Sequence, residues 1–148
     1  HRQKVTMAQK IKAYFGGDLS GKKIALWGLA FKPDTDDIRE AAALYIIEEL
    51  VKAGAEIIAF DPEAMPNVKG VIGDRITYAE NQYDALENAD ALLIATEWAV
   101  FRSPDFDKVN SLLKEKVIFD GRNLYDLESM RDLNYYYESV GRKTIKAV

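Results

Sequence analysis

An open, doubly wound and mainly parallel α/β sheet is the fold class this sequence predicts, and three observations predict it. Short apolar runs alternate with amphipathic helical stretches along the chain. The first two runs, Lys23 to Trp27 and Glu56 to Phe60, bracket a helical stretch within about forty residues, the length a β-α-β unit needs. The run Asp90 to Thr96 (D-A-L-L-I-A-T) is apolar almost throughout, as a central strand covered on both faces must be. Together they imply right-handed crossovers and a sheet of about five to six strands, preceded by an N-terminal helix.

From Arg2 to Phe15, the residues Val5, Ala8, Ile11 and Phe15 recur at spacings of three and four and mark one face of an amphipathic helix, which Gly16 and Gly17 stop. Such a helix packs on its own domain or ends a long connecting helix, and both readings are open. After the first strand, Ile38 to Ala53 reads as a helix with Ala43, Ile46, Ile47, Leu50 and Val51 as its buried stripe. Asp37 and Glu40 have the spacing of a capping box, so the helix is expected to start at Asp37. Gly54 is expected to end it in a left-handed conformation. Asp61-Pro62 stops the second strand.

Glu63 to Gly73, with Pro66, Gly70 and Gly73, reads as a loop, and Arg75 to Tyr78 as a short strand. Tyr83 to Asn88 reads as a short helix before the central strand. Phe106 to Lys114 is expected to be helical, Val117 to Phe119 a strand, and Asp120-Gly121-Arg122-Asn123 the turn after it. Met130 to Leu133 closes a last helix, Tyr135 to Tyr137 reads as an edge strand, and the tail from Gly141 is polar. The chain has no internal repeat and no low-complexity segment.

With 148 residues, 48% of them hydrophobic, the chain suits one domain with a substantial core. A net charge of −4 and a pI near 5.1 argue against a nucleic-acid partner, because phosphate-backbone binding needs a basic face. No apolar stretch is long enough for a membrane span and no signal-peptide pattern is present, so the expected compartment is the cytoplasm. The absence of cysteine excludes disulfides, thiolate metal sites and a cysteine nucleophile. The chain opens on His1 and enters a helix already under way, which suggests a piece of a longer protein. His1, the single histidine, is read as a solvated terminus rather than a ligand.

The stretch most suggestive of function runs from Trp27 to Glu40, W-G-L-A-F-K-P-D-T-D-D-I-R-E. A buried strand empties through Gly28 into charged residues and then a helix, and ligands of open α/β sheets sit outside the carboxyl ends of the strands. The glycine fingerprint of a dinucleotide site is absent: Gly28 supplies the first turn, but Ala30 and Pro33 stand where glycines would let a pyrophosphate approach. Asp61 lies where a ribose-binding acid would sit, and Asp-Pro is also ordinary turn chemistry, the favoured reading.

Lys32 at the carboxyl edge is either a point charge for a phosphate or a solvated lysine. Arg39 falls in the expected first helical turn, where the helix dipole disfavours a cation. It therefore serves either a bidentate grip on an anion or an ion pair with Asp34, Asp36 or Glu40. Arg122 is not required by its D-G-R-N turn and so carries functional weight. Trp98 could stack on a base, but core packing is favoured. No catalytic residue and no metal ligand set is read from the chain.

Four motifs in order, G-L-A-F-K-P-D-T-D-D-I-R-E, F-D-P, T-E-W and D-G-R-N, resemble the C-terminal, UDP-binding domain of the UDP-glucose/GDP-mannose dehydrogenase family over nearly the whole chain. The resemblance implies a Rossmann-like fold for residues 18–148, and makes residues 1–17 the end of the helix that joins the family's central domain to this one. It implies a parent that oxidises the C6 hydroxyl of a UDP-sugar to a carboxylate with two NAD+, through a thiohemiacetal on a cysteine. That cysteine belongs to the central domain and the glycine-rich NAD fold to the N-terminal domain, so the fragment alone is expected to be inactive.

It further implies that Phe31 and Lys32 lie on the uridine and diphosphate, that Arg122 binds the nucleotide sugar, and that Arg39 reaches the NAD of the N-terminal domain. W-G-L-A-F-K and D-G-R-N look more like the UDP-glucose members than the GDP-mannose ones, so UDP-glucose is the expected ligand and UDP-glucuronate the product. The parent's other domains, and further copies in a homo-oligomer, are the expected partners. Two alternatives stay open: a non-catalytic structural or dimerisation module of a GDP-mannose or other UDP-sugar dehydrogenase, and an independent NAD-dependent oxidoreductase, which the missing glycines disfavour.

Overall fold

The computed structural model describes residues 2–148, with side chains from Met7 onward; His1 and the side chain of Val5 lie outside the described residues. Seven strands form one sheet: β1 (Lys23–Trp27), β2 (Glu56–Phe60), β3 (Thr77–Tyr78), β4 (Ala91–Ile94), β5 (Val117–Asp120), β6 (Tyr136–Glu138) and β7 (Ile145–Lys146). Their order is β3-β2-β1-β4-β5-β6-β7, parallel from β3 to β6, with β7 antiparallel at one edge. The six parallel strands have the order of a doubly wound nucleotide fold, and the chain reverses direction between β1 and β4. β1 and β4 are therefore central, and every residue of β4 is buried.

Helix α1 (Arg2–Tyr14) lays Met7, Ala8 and Ile11 into the core and runs beside α2 (Ala42–Lys52), to which Lys12 Nζ is tied by Glu49 Oε1 at 3.2 Å. Burying Met7 and Ile11 is worth about 1.5–3 kcal/mol each, ample to hold a helix whose own propensity is marginal at this length. The stripe of α2 is as expected for Ala43, Ile46, Ile47 and Leu50, which are buried, whereas Val51 is only half-buried against the core. On the far side Trp27 stacks on Phe101 with ring centroids 5.0 Å apart, and Phe101 belongs to a short helix, α4 (Ala99–Arg102), that the sequence reading missed.

The structure corrects the expected elements in four places. Helix α2 begins at Ala42, not Asp37, because the Asp37 carboxylate accepts from the Arg39 amide at 3.0 Å in a local turn and so does not cap a helix. The capping box with Glu40 is not formed, and Arg39 lies outside the helix. Residues Met65–Ile72 form helix α3 rather than a loop, since Pro66 falls in its first turn, where a missing N–H costs nothing, and Val68 is buried beneath it. Tyr83 to Asn88 reduces to one 3₁₀ turn, Asp84–Leu86.

β6 is not the edge. β7, with Ile145 buried, pairs Tyr137↔Ile145 and Tyr136↔Lys146, which raises the strand count to seven; two residues are too few for an alternating pattern to register. The remaining helices, α5 (Phe106–Leu112) and α6 (Leu127–Asp132), open on Asp105 and Asp126, whose side chains accept from amides of the first turn.

Candidate functional site at the switch point

The reversal between β1 and β4 opens a crevice at their carboxyl ends. A cavity of about 150 Å³ lies there, lined by Phe31, Glu40 and Ala42 from the β1–α2 segment, Ile94 and Ala95 from the end of β4, and Gly121 and Arg122 after β5, among others. Phe31 and Arg122 thus meet on one cavity. Lys32 is exposed beside it, with its ammonium 5.2 Å from the centre of the Phe31 ring, and makes no hydrogen bond among the described residues. Arg39 does not line the cavity. A broader depression of about 560 Å³ lies between α6 and β7 and holds none of the expected residues.

The β1–α2 segment is built around Gly28. Its φ is +103°, and a Cβ there would lie 2.6 Å from the backbone N and side chain of Thr96. Close approach lets the Thr96 hydroxyl donate to the Ala30 carbonyl at 2.6 Å, stitching the turn to the strand end beside it. Phe31 N then donates to the Asp37 carbonyl at 3.0 Å, closing the loop that carries Lys32. Arg39 pairs with Asp37, its Nη2 2.7 Å from Oδ2, rather than with Asp34, Asp36 or Glu40. Hydrogen bonds from Arg39 hold the Asp37 carboxyl down to about 2. Arg39 is exposed and Asp37 half-buried at the surface, and surface pairs of this kind contribute little. Arg39→Ala is therefore expected to leave the melting temperature unchanged by differential scanning fluorimetry, since nothing buried depends on it.

Arg122 is held from three directions. Asp120, fully buried, accepts the Arg122 amide at 2.9 Å on Oδ1, and the Leu124 amide at 2.7 Å and the Tyr137 hydroxyl at 2.6 Å on Oδ2. Asn123, at φ +57°, locks the turn to the segment after β6, its amide donating to the Val140 carbonyl at 2.9 Å and accepting from Val140 N at 2.8 Å. Burial, with the neighbouring Asp120, pushes the Tyr137 phenol far up, so it remains a donor. The Arg122 guanidinium itself donates through Nη2 to Glu97 Oε2 at 2.7 Å.

Glu97 does not line the cavity but holds the guanidinium that does. Burial raises its carboxyl, but the Arg122 hydrogen bond and charge outweigh this, so the carboxyl sits below its ordinary range and stays ionised. Its Oε1 is buried with no hydrogen-bond partner among the described residues. Glu40, read from the sequence as a capping-box or ion-pair residue, instead lines the cavity, and Glu97 and Asp120 were not singled out as site residues. The available signal for those two was an acid at the end of, or within three residues after, a fully apolar strand on the edge that holds the cations.

The remaining candidates fall into the core. Trp98 is buried and its indole donates to Asp61 Oδ2 at 3.1 Å, so it does not stack on a base. Asp61 is fully buried and its carboxylate is saturated by N–H donors, which leaves it no capacity for a ribose hydroxyl. This saturation and the absent glycines mean that the β1–α2 turn does not fit an NAD pyrophosphate. Among the described residues no cluster of His, Cys, Asp or Glu could hold a metal, and no helix is long and apolar enough to cross a membrane.

Strand order and crevice define a class: a doubly wound nucleotide-type domain with a cavity at the switch point and no glycine-rich loop. The chain belongs to the UDP-glucose/GDP-mannose dehydrogenase family, whose UDP binding domain matches residues 25–127. It is 41% identical over 145 residues to the UDP-glucose 6-dehydrogenase TuaD of Bacillus subtilis, covering 98% of this chain and 31% of that protein. It is also 41% identical over 146 residues to the UDP-glucose 6-dehydrogenase of Pseudomonas aeruginosa, covering 95% and 32%.

Among solved structures, a UDP-glucose dehydrogenase from the archaeon Pyrobaculum islandicum superposes with a TM-score of 0.79 at 30% identity, over 96% of this chain and 30% of that one. A shikimate dehydrogenase from Aquifex aeolicus, at 14% identity and a TM-score of 0.62, shares the fold alone. The chain spans about a third of the length of the curated relatives it matches.

Proposed function

We propose that this chain is the nucleotide-sugar-binding domain of an NAD-dependent UDP-glucose 6-dehydrogenase, and that it contributes binding rather than bond making. The observation that carries the proposal is the meeting of Phe31 and Arg122 on one cavity at the switch point, with Lys32 at its rim. Phe31 supplies an apolar face for the uracil and ribose. Lys32 supplies a point charge for the diphosphate. Arg122 spends one donor on Glu97, and its Nε and Nη1 have no hydrogen-bond partner among the described residues, so they can meet an anionic oxygen.

A cavity of about 150 Å³ is smaller than the roughly 300–1,000 Å³ of a complete ligand pocket, so the rest of the site comes from other domains of the parent. Residues 1–17 lead from those domains and residues 18–148 form this one. The parent works in the cytoplasm as a homo-oligomer. NAD is held elsewhere in it, and the exposed Arg39, outside the cavity, faces that cofactor.

Calorimetric titration of the 148-residue chain with UDP tests this reading. Weak binding is expected. Arg122→Ala should weaken it by about 10- to 100-fold, the value of a hydrogen bond to a charged group, and Lys32→Ala by a few-fold, the value of an exposed charge. With UDP-glucose and NAD+ the chain should produce no NADH. Absence of binding at millimolar UDP, or indifference to both substitutions, would reject the proposal.

A further inference from the structure

The turn after β1 holds a carboxylate where a dinucleotide fold holds a phosphate. Five N–H groups converge on Asp61: the amides of Leu29 (2.7 Å) and Ala30 (2.9 Å) and the Trp98 indole (3.1 Å) on Oδ2, and the amides of Glu63 and Ala64 (each 2.8 Å) on Oδ1. The side chain is fully buried, and no cation lies within ion-pair distance of it among the described residues. A buried charge without a counter-ion is costly unless oriented dipoles replace its hydration, and here they surround both oxygens. Leu29 and Ala30 carry the amides that, in a glycine-rich turn, would face a pyrophosphate.

We propose that Asp61 is an internal anion that takes the place of a ligand phosphate in the β1–α2 turn. It has two consequences. Its negative charge closes the turn's amides to any external phosphate, so a nucleotide is directed to the neighbouring crevice. Its grip on Leu29 and Ala30 also sets the direction in which the chain leaves the turn, and thereby places Phe31 on the cavity wall. Asp61 acts through Phe31, as a positioning residue. The first consequence stands on the geometry of the turn; the second rests on the UDP reading given above.

Removing the carboxylate and returning it from solution tests the proposal. Asp61→Ala leaves a space of carboxylate size faced by five donors, and should melt well below the unaltered chain. Sodium formate should raise its melting temperature by several degrees more than sodium chloride at equal ionic strength, with no such difference for the unaltered chain. Asp61→Asn, which turns an NH₂ toward N–H groups, should be destabilised and not rescued by formate. Where it remains folded, it should bind UDP roughly tenfold more weakly.

Equal formate effects on Asp61→Ala and the unaltered chain would overturn the internal-anion proposal. Should Asp61→Ala not fold, amide exchange by NMR on the unaltered chain decides: Leu29, Ala30, Glu63 and Ala64 should exchange only with global unfolding, and fast exchange at Leu29 and Ala30 would overturn it. Unaltered UDP affinity in Asp61→Asn would overturn the positioning role. Failure of the unaltered chain to bind UDP would instead reject the UDP reading, while formate rescue would still decide the internal anion.

Discussion

Gly28→Ala is expected to cost this domain about 3–5 kcal/mol and to lower its urea midpoint sharply. Two effects add. At φ +103° an L residue is strained, by about 1–3 kcal/mol for backbone held in sparsely populated regions. The new methyl would also lie 2.6 Å from Thr96 N, Cβ and Oγ1, and the backbone nitrogen cannot move aside without disturbing the end of β4. Overpacking of this kind costs about 1–3 kcal/mol more. Domains are stable by only about 5–15 kcal/mol, so the loss is a large share of the total. Thermal denaturation followed by circular dichroism should fall by roughly 10 °C, at about 2–4 °C per kcal/mol for a chain of this size. Thr96→Ser keeps the hydroxyl but removes the methyl, and should change little alone. A melting temperature for Gly28→Ala within two or so degrees of the unaltered chain would show that the turn yields more readily than its geometry implies.

Asp120→Asn is expected to destabilise the chain by about 2–4 kcal/mol and to weaken UDP binding at the same time. The carboxylate takes three donors, two amides from its own turn and one hydroxyl from β6, and an asparagine offers one acceptor oxygen in place of two. Whichever way the amide turns, its NH₂ meets at least one buried N–H or O–H, and an unsatisfied buried donor costs about 1–3 kcal/mol before any repulsion. Tyr137 can turn its hydroxyl to the Tyr125 carbonyl at 3.2 Å, but the Arg122 and Leu124 amides have no such alternative in the turn. Arg122 loses its backbone anchor, so the guanidinium loses direction. Urea unfolding and UDP titration on the same preparation check both halves. A loss of stability without loss of UDP affinity would mean that the Asn123–Val140 amide pair alone holds Arg122 in place.

What was legible in the sequence followed from repetition. β1, β2, β4 and β5 each carry several consecutive apolar residues, and the stripe of α2 recurs over three turns, so their identities survive local exceptions. Two elements with few informative residues were not legible: β7 rests on Ile145 alone, and α3 hid behind Pro66 and Gly70, which punctuate chains more often than they begin helices. The start of α2 was misread because Asp37 can bond forward to a helix amide or to its own neighbour, and spacing does not separate the two.

For the site, the motifs by themselves determined the family and brought Phe31, Lys32 and Arg122 to the carboxyl edge of the sheet, because strand ends and turn residues are local properties. Only the tertiary structure decided what those residues face. Arg122 meets Glu97, 25 positions away, and Asp61 meets amides more than thirty positions back, through successive strands that only a crossover connection brings side by side. Whether a carboxylate is a ligand site or an internal anion depends on how many donors reach it, and the donors are assembled only by packing.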